Sequence, residues 1–268
     1  TAIATVGAHQ TTFGGSRDGF LLKLNNSGIR QWATYIGGLG FDYIKDCATD
    51  VNGNVVICGY TTSTNNISTA GSQQTTYSAL NDAFLVKFNG NGVRQWGTYC
   101  GGTGNDYGRS CSIDSNGAII LAGSTESTTN ISTAGAHQVT KSTGTDGFIV
   151  KYTSAGVRSF GSYYGGTSSD GIEGASIDAS GNIFVTGFSA STGGISTAGS
   201  HKPTNSGGDD AFVAKFSNLG VRQWGTYYGG TNYDRAYGCA ADILGNVYIT
   251  GVTTSTANIA TTGSHQTT

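Results

Sequence analysis

An all-β fold is predicted for this 268-residue chain by three features: one phrase recurs at a fixed period, each period reads as four short strands, and glycine is abundant (44 residues) while proline occurs once. Four short strands per unit, with the unit repeated, is the cue for propeller blades. The architecture expected is a β-propeller of four-stranded blades built from about four 64-residue repeats. It is either a closed four-bladed ring or a segment of a larger propeller or array. Residues 1–268 are read as one array, because a repeat unit buries its apolar face only against its neighbours.

The period comes from three phrases. Gly28-Ile29-Arg30-Gln31-Trp32 returns at Gly92, Gly156 and Gly220, each 64 residues on. Asp50, Asp114, Asp178 and Asp242 keep the same step, each followed three residues later by glycine. The third is the loop glycine Gly7, Gly71, Gly135, Gly199 and Gly263. Four periods leave 12 residues over, so residues 1–12 and 257–268 are the same part of the repeat.

Each element of a unit follows from its residues. Residues 82–88 alternate and predict a strand. The turn 89–92 carries two glycines able to take positive φ. Residues 93–99 and 106–113 predict the next two strands. Asp114-Ser115-Asn116-Gly117 predicts a hairpin turn of the Asn-Gly kind, and 118–124 the strand that follows it. A polar loop runs from Thr125 to about Thr145. The strand at 106–113 keeps one position small in every copy (Cys47, Cys111, Ala175, Cys239). Small side chains suit the crowded axis of a propeller, so this strand is assigned innermost. The chain then begins with two outer strands and ends with two inner ones. In the closed-ring version these ends complete one blade and leave no open sheet edge.

Composition narrows the function. Charged residues are 11% and net charge is −2, unlike the basic footprint of a nucleic-acid binder. No apolar run is long enough to span a membrane as a helix. The sequence starts at Thr1 and has no methionine, which reads as a processed protein or a piece of a longer one. Low charge with abundant Ser, Thr, Asn and Gly suits an exported surface protein.

The repeat resembles the SBBP family, the bacterial β-propeller repeat. The resemblance rests on Asp210-Ala211-Phe212-Val213-Ala214-Lys215, on Tyr227-Tyr228-Gly229-Gly230, on Asp234, and on Asp242-Ile243-Leu244-Gly245-Asn246-Val247-Tyr248-Ile249-Thr250-Gly251. The other copies match in phase, so it covers essentially the whole chain. It implies a propeller, usually described with seven blades, in a secreted or surface-attached bacterial protein that is often large and multi-domain. It implies no defined catalytic activity and no ligand.

Most charges recur in phase: Asp18, Asp82, Asp146 and Asp210; Asp42, Asp106, Asp170 and Asp234; the turn aspartates; and the matching Lys23 and Arg30 series. Catalysis needs a particular constellation at one place. Charge placed identically in every unit favours turn capping and ion pairs between strands. The remaining charges, Asp46, Glu126, Glu173, Asp209, Arg17, Lys45, Arg109, Lys141, Lys202 and Arg235, follow no recognisable spacing. The Asp-x-x-Gly turns offer one carboxylate each, too few for a calcium site. No metal site and no cofactor are expected, and no nucleophile–base pair or phosphate loop is present.

The candidate binding residues lie in the long rim loop: His9, His137, His201 and His265, with Gln10, Gln138 and Gln266 beside three of them. Their alternative is loop packing. Cys47, Cys58, Cys100, Cys111 and Cys239 make an odd count. Pairing around the turn allows a Cys47–Cys58 bridge, and the preceding turn a Cys100–Cys111 bridge. Buried small hydrophobes are the other reading. The series Trp32, Trp96, Phe160, Trp224 and Tyr35, Tyr99, Tyr163, Tyr227 stand three apart and face opposite ways in a strand. One is expected between blades and the other exposed for sugar stacking or protein contact.

The function expected is a non-catalytic binding or scaffolding module, secreted or at the cell surface. It would be an adhesin segment or part of a larger secreted bacterial protein, with a protein or glycan, or other domains of the parent chain, as partner. The alternatives are a glycan hydrolase or lyase with an axial pocket, using Glu173 and Asp46, and a purely structural spacer.

Overall fold

The computed structural model describes residues 3–266, which form sixteen strands and no helix. A two-stranded sheet comes first, β1 (Gly19–Leu24) with β2 (Arg30–Ile36). Three four-stranded antiparallel sheets follow in chain order. They are β3 (Asp42–Thr49), β4 (Val55–Thr61), β5 (Asp82–Phe88) and β6 (Arg94–Cys100); then β7 (Asp106–Ile113), β8 (Ile119–Thr125), β9 (Asp146–Tyr152) and β10 (Arg158–Tyr164); then β11 (Asp170–Ile177), β12 (Ile183–Ser189), β13 (Asp210–Phe216) and β14 (Arg222–Tyr228). A second two-stranded sheet, β15 (Asp234–Ala241) with β16 (Val247–Thr253), comes last.

The tight turns place the strands in this order. Asp114 Oδ1 accepts from the amides of Asn116 and Ala118 at 2.9 and 2.8 Å. Its carbonyl accepts from Gly117 N at 2.9 Å, and Gly117 takes φ 79°. Asn116 is not among the residues at positive φ. The turn is therefore a type I turn closed by a left-handed glycine, not the doubly left-handed Asn-Gly turn that the dipeptide suggests. The aspartate decides the outcome by capping the turn from its first position.

The first strand of each sheet is the innermost, as the small residues predict. β3, β7, β11 and β15 lie side by side. They are bonded to one another: Ser110 Oγ donates to Asp46 Oδ2 at 2.8 Å, and Ser112 Oγ to Ala175 O at 2.8 Å. Closure of the four units into a ring does not occur. β15–β16 and β1–β2 stay separate sheets, and β15 does not lie beside β3 as fourfold closure requires. The contacts between sheets fix the rotation per unit, and four such rotations leave the circle open. Among the described residues the units form an open array rather than a closed ring.

The two middle strands of each four-stranded sheet are buried on both faces, so they are largely apolar rather than alternating. Val56, Cys58 and Leu85 pack against Leu121, Phe148 and Val150 of the next sheet. On the opposite face Ile57, Phe84 and Val86 pack with Ile36, Leu21 and Trp32. Full burial of each such side chain is worth about 1.5–3 kcal/mol.

A clasp joins each unit to the next. Lys23 Nζ and Trp32 Nε1 both donate to Gly90 O, at 2.8 and 3.1 Å. Lys87 and Trp96 do the same to Ser154 O at 3.1 and 3.0 Å, and Lys151 reaches Asn218 O at 3.0 Å. The ring lies flat on the turn glycine. A Cβ at Gly92, Gly156 or Gly220 would meet Trp32, Trp96 or Phe160 at 2.8 Å. Phe160 shows that the stack survives without the indole N–H. Trp96→Phe is therefore expected to fold normally and to lose about 1 kcal/mol, the net worth of one hydrogen bond, in a urea titration.

Candidate binding surface

Repeated charges hold the array together, but not as ion pairs between strands. Arg94, Arg158 and Arg222 donate to the backbone carbonyls of Asn66, Asn130 and Gly194 at 2.7, 2.7 and 2.9 Å. Asp106 accepts from Ser127 Oγ at 2.7 Å, Gly102 N at 2.9 Å and Thr125 Oγ1. Asp82 accepts from Ser78 N at 2.8 Å and Gln74 Nε2 at 3.3 Å. The two carboxylates meet across Gly101, where a Cβ would lie 2.5 Å from Asp106 Oδ2 and 3.0 Å from Asp82 Oδ1. Asp82 Oδ1 is buried with no hydrogen-bond partner. Burial pushes the Asp82 carboxyl up to about 7, and the Asp106 charge adds to this. The third unit repeats the arrangement, with Asp146 raised by burial to about 6. In the fourth, Lys202 replaces the glutamine and pairs with Asp210 Oδ2 at 2.6 Å. No group of three or more metal-ligating side chains is found among the described residues.

The rim-loop candidates have internal partners. Gln10 Nε2 donates to Asp18 Oδ2 at 2.7 Å, and Gln138 Nε2 to Asp146 Oδ2 at 2.9 Å. His9 meets Phe88 edge-on with ring centres 5.7 Å apart. His137 lies 5.9 Å from Tyr164 and 5.8 Å from Phe216, and His201 6.2 Å from Tyr228. Burial first, and a nearby arginine second, lower His9 and His137 to about 4, so both rings pack as neutral groups. His265 and Gln266 lie on the exposed last loop.

The cysteines and tyrosines correct two expectations. All five thiols are free. A register shift between Ile44 and Asp46 puts Asp46 opposite Cys58 and Cys47 opposite Ile57. Cys47 and Cys58 thus project to opposite faces and form no bridge. Cys100 sits on the outermost strand of one sheet and Cys111 on the innermost strand of the next, so they do not pair either. Burial pushes Cys100 and Cys239 up to about 12, which keeps them protonated and unreactive. Tyr99, Tyr163 and Tyr227 are not the exposed member of the aromatic series. They are fully buried and donate to Ser63 O, Ser127 O and Ser191 O at 2.9, 3.0 and 2.7 Å.

The residues that break the repeat gather in one place. Tyr43 is opposite Tyr60 in the β3–β4 register, and their rings stack at 4.8 Å. Tyr107, from the next inner strand, meets Tyr60 edge-on at 4.9 Å. Arg17 lies 4.9 Å over the Tyr43 ring, Lys45 5.5 Å over Tyr60 and Arg109 5.1 Å over Tyr107. Arg17 and Lys45 are exposed, and the three tyrosines half-buried. Burial, followed by Tyr43, raises the Tyr60 phenol, so its hydroxyl stays a donor at neutral pH. At the far junction Arg235 covers Phe188 at 3.6 Å and pairs with Asp209 through Nε at 2.8 Å. Cation–π attraction holds the cations against the rings, and their clustered charge suits an anionic ligand. The only signal for this cluster in the sequence is departure from the period: Tyr43 and Tyr107 become Gly171 and Arg235, and Lys45 and Arg109 become Glu173 and Tyr237. The two non-repeated inner acids have partners of their own. Glu173 Oε2 lies 3.8 Å from Arg109 Nε. Asp46 Oδ2 accepts from Ser110 Oγ and, at 3.0 Å, from Cys111 N.

Two comparisons bear on this geometry. A protein of Acanthamoeba polyphaga mimivirus, described as an uncharacterized WD repeat-containing protein, is 26% identical over 232 residues. That match covers 74% of this chain and 16% of the viral protein. The model of the SBBP β-propeller repeat matches residues 223–259, which run from β14 through β16. The phrases within that match recur in phase in the other units, so the chain is similar to SBBP-type β-propeller repeats along its length.

Proposed function

We propose that this propeller array is a non-catalytic binding module of the cell surface or the extracellular space, and that it holds an acidic glycan on the inner-strand cluster around Tyr60. The observation that carries the reading is the cluster itself. Arg17, Lys45 and Arg109 lie outside the charge series that recur in every unit, and they converge on three tyrosines. The half-buried tyrosines fix the spacing of the cations and offer phenol hydroxyls to the substituents of a sugar. The cations meet carboxylate or sulfate groups. Engagement of Glu173 and Asp46 by neighbouring side chains supports binding over hydrolysis. The resemblance to secreted bacterial repeat proteins supports a role in an adhesin or a comparable large surface protein.

Titration calorimetry with a sulfated polysaccharide is the test. Binding should weaken as salt rises, and the double variant Arg17→Ala/Lys45→Ala, at exposed positions, should bind at least about tenfold more weakly, roughly 1.4 kcal/mol. Absence of binding, or binding unchanged in that variant, overturns the reading. Binding of an acidic peptide but no acidic glycan overturns the choice of ligand.

A further inference from the structure

Two of the buried thiols face each other across the junction between the first two four-stranded sheets. Cys58 on β4 stands opposite Leu85 of β5, so the two side chains share one face of their sheet. Cys111 on β7 stands opposite Leu121 of β8 in the same way. All four belong to the one apolar cluster between the sheets. Cys58 is at 0% exposure and Cys111 at 3%. The Cys111 thiol lies 3.9 Å from Val56 O, two residues before Cys58. A hydrogen bond between the two thiols, followed by burial, raises Cys111 well above its ordinary value. Both thiols are free in this structure.

The repeat shows that the fold does not demand this pair. At the next junction the same two positions are Ala122 and Ala175, again buried in one cluster. At the third they are Thr186 and Cys239, and the Cys239 thiol lies 3.6 Å from Phe184 O, as Cys111 does from Val56 O. The contact therefore has the same geometry from junction to junction, while the side chains that meet there differ. Cysteine recurs at the inner-strand position, but Cys58 alone adds a second thiol across from it. Two alanines satisfy the packing, so the second thiol supplies something that packing does not require.

We propose that Cys58 and Cys111 are joined by a disulfide that fastens β4 of one sheet to β7 of the next. The other thiols have no route to this bond. Cys47 projects to the opposite face of its sheet with Ile57, Cys100 lies on the outermost strand β6, and Cys239 lies on β15. The oxidant is a small disulfide, such as oxidised glutathione. One cysteine thiolate attacks its S–S bond and releases one small thiol. The second thiolate then attacks the mixed disulfide, forms the Cys58–Cys111 bond and releases the other small thiol. The protein gives up two electrons and two protons, and the oxidant takes up both. Because burial disfavours the thiolate, the exchange takes place as the sheets dock, before the pair is sealed. The bond ties the strand of Tyr60 to the strand of Tyr107 and Arg109, and it does not depend on what that cluster binds.

Refolding the reduced chain in a glutathione redox buffer, followed by alkylation and peptide mapping without reductant, tests this. Cleavage before aspartate places the five cysteines in five different peptides. The expected result is one cross-linked pair, Cys58 with Cys111, with Cys100 and Cys239 alkylated. The bond joins residues 53 apart in sequence, so the oxidised chain should melt at least about 4 °C above the reduced one. The double variant Cys58→Ala/Cys111→Ala, which copies the alanines of the next junction, should melt at the same temperature with and without reductant. Absence of the Cys58–Cys111 peptide, or a bridge from Cys47 to either, overturns the proposal. A cross-linked chain that melts no higher than the reduced one, or a reductant effect that persists in the double variant, overturns the fastening role.

Discussion

Gly123→Ala is expected to destabilise the array by more than about 3 kcal/mol, beyond the usual range for overpacking. Gly123 faces Gly108 beside the bulge where the β7–β8 register shifts between Gly108 and Ser110. The bulge swings the Tyr107 carbonyl over the glycine, and a Cβ there would lie 1.8 Å from that oxygen. The obstacle is backbone in the middle of a sheet, so no side-chain rotation relieves it. The contact recurs at Gly59, Gly187 and Gly251, with oxygens at 1.7, 1.9 and 1.9 Å. Thermal melts followed by circular dichroism should show a loss of roughly 6 °C or more. Gly193→Ala is the control: a Cβ there meets nothing within 4 Å and φ is not positive, so its melting temperature should hold or rise slightly. Equal effects from the two substitutions would refute the steric explanation.

Asp82→Asn is expected to stabilise the protein above pH 7, although it removes a buried charge. Asp82 is raised to about 7 from the ordinary value of 3.8, chiefly by burial. The folded chain therefore holds a proton that the unfolded chain releases, and stability falls as pH climbs from about 4 to about 7. Asparagine keeps an oxygen for Ser78 N and Gln74 Nε2. Its amide N–H₂ replaces the unpartnered Oδ1 that faces Asp106. With solvent screening allowed for, the gain at pH 8 is about 1–2 kcal/mol. It should shrink toward zero as pH falls to about 4. His9 and His137, lowered to about 4, oppose this trend by resisting protonation below their ordinary value. They are present in both proteins, so the difference in melting temperature isolates Asp82. A variant less stable than the parent at pH 8 would overturn the account.

How much could be read beforehand follows from the range of each signal. The strands and the positions of the turns are local, written within eight or so residues, and the period and the innermost strand show in recurrence every 64 residues; all were legible, though the turn type was not. The facing of Tyr99 and Trp96 was not. Alternation separates two faces but cannot rank them when both are buried between neighbouring sheets. The Asp82–Asp106 encounter joins residues 24 apart in sequence and needs the loop path. Cys47 and Cys58 were misread because a single-residue bulge reverses which side chains face. Tyr43, Tyr60, Tyr107 and Arg109 come from three strands and acquire meaning only through the register. Their one advance sign was that they disobey the repeat.

The clasp has a consequence for how such chains change over generations. Lys87 and Trp96 lie 67 and 58 residues from the carbonyl they share, so every grip reaches into the adjoining copy and no farther. Duplicating or deleting one 64-residue stretch of the gene adds or removes one aromatic ring, one lysine and one receiving turn together. Every surviving junction keeps its full set of partners without a compensating substitution. The length of the array is thus free to drift in whole units, while the few residues outside the repeat record where along it a particular surface belongs.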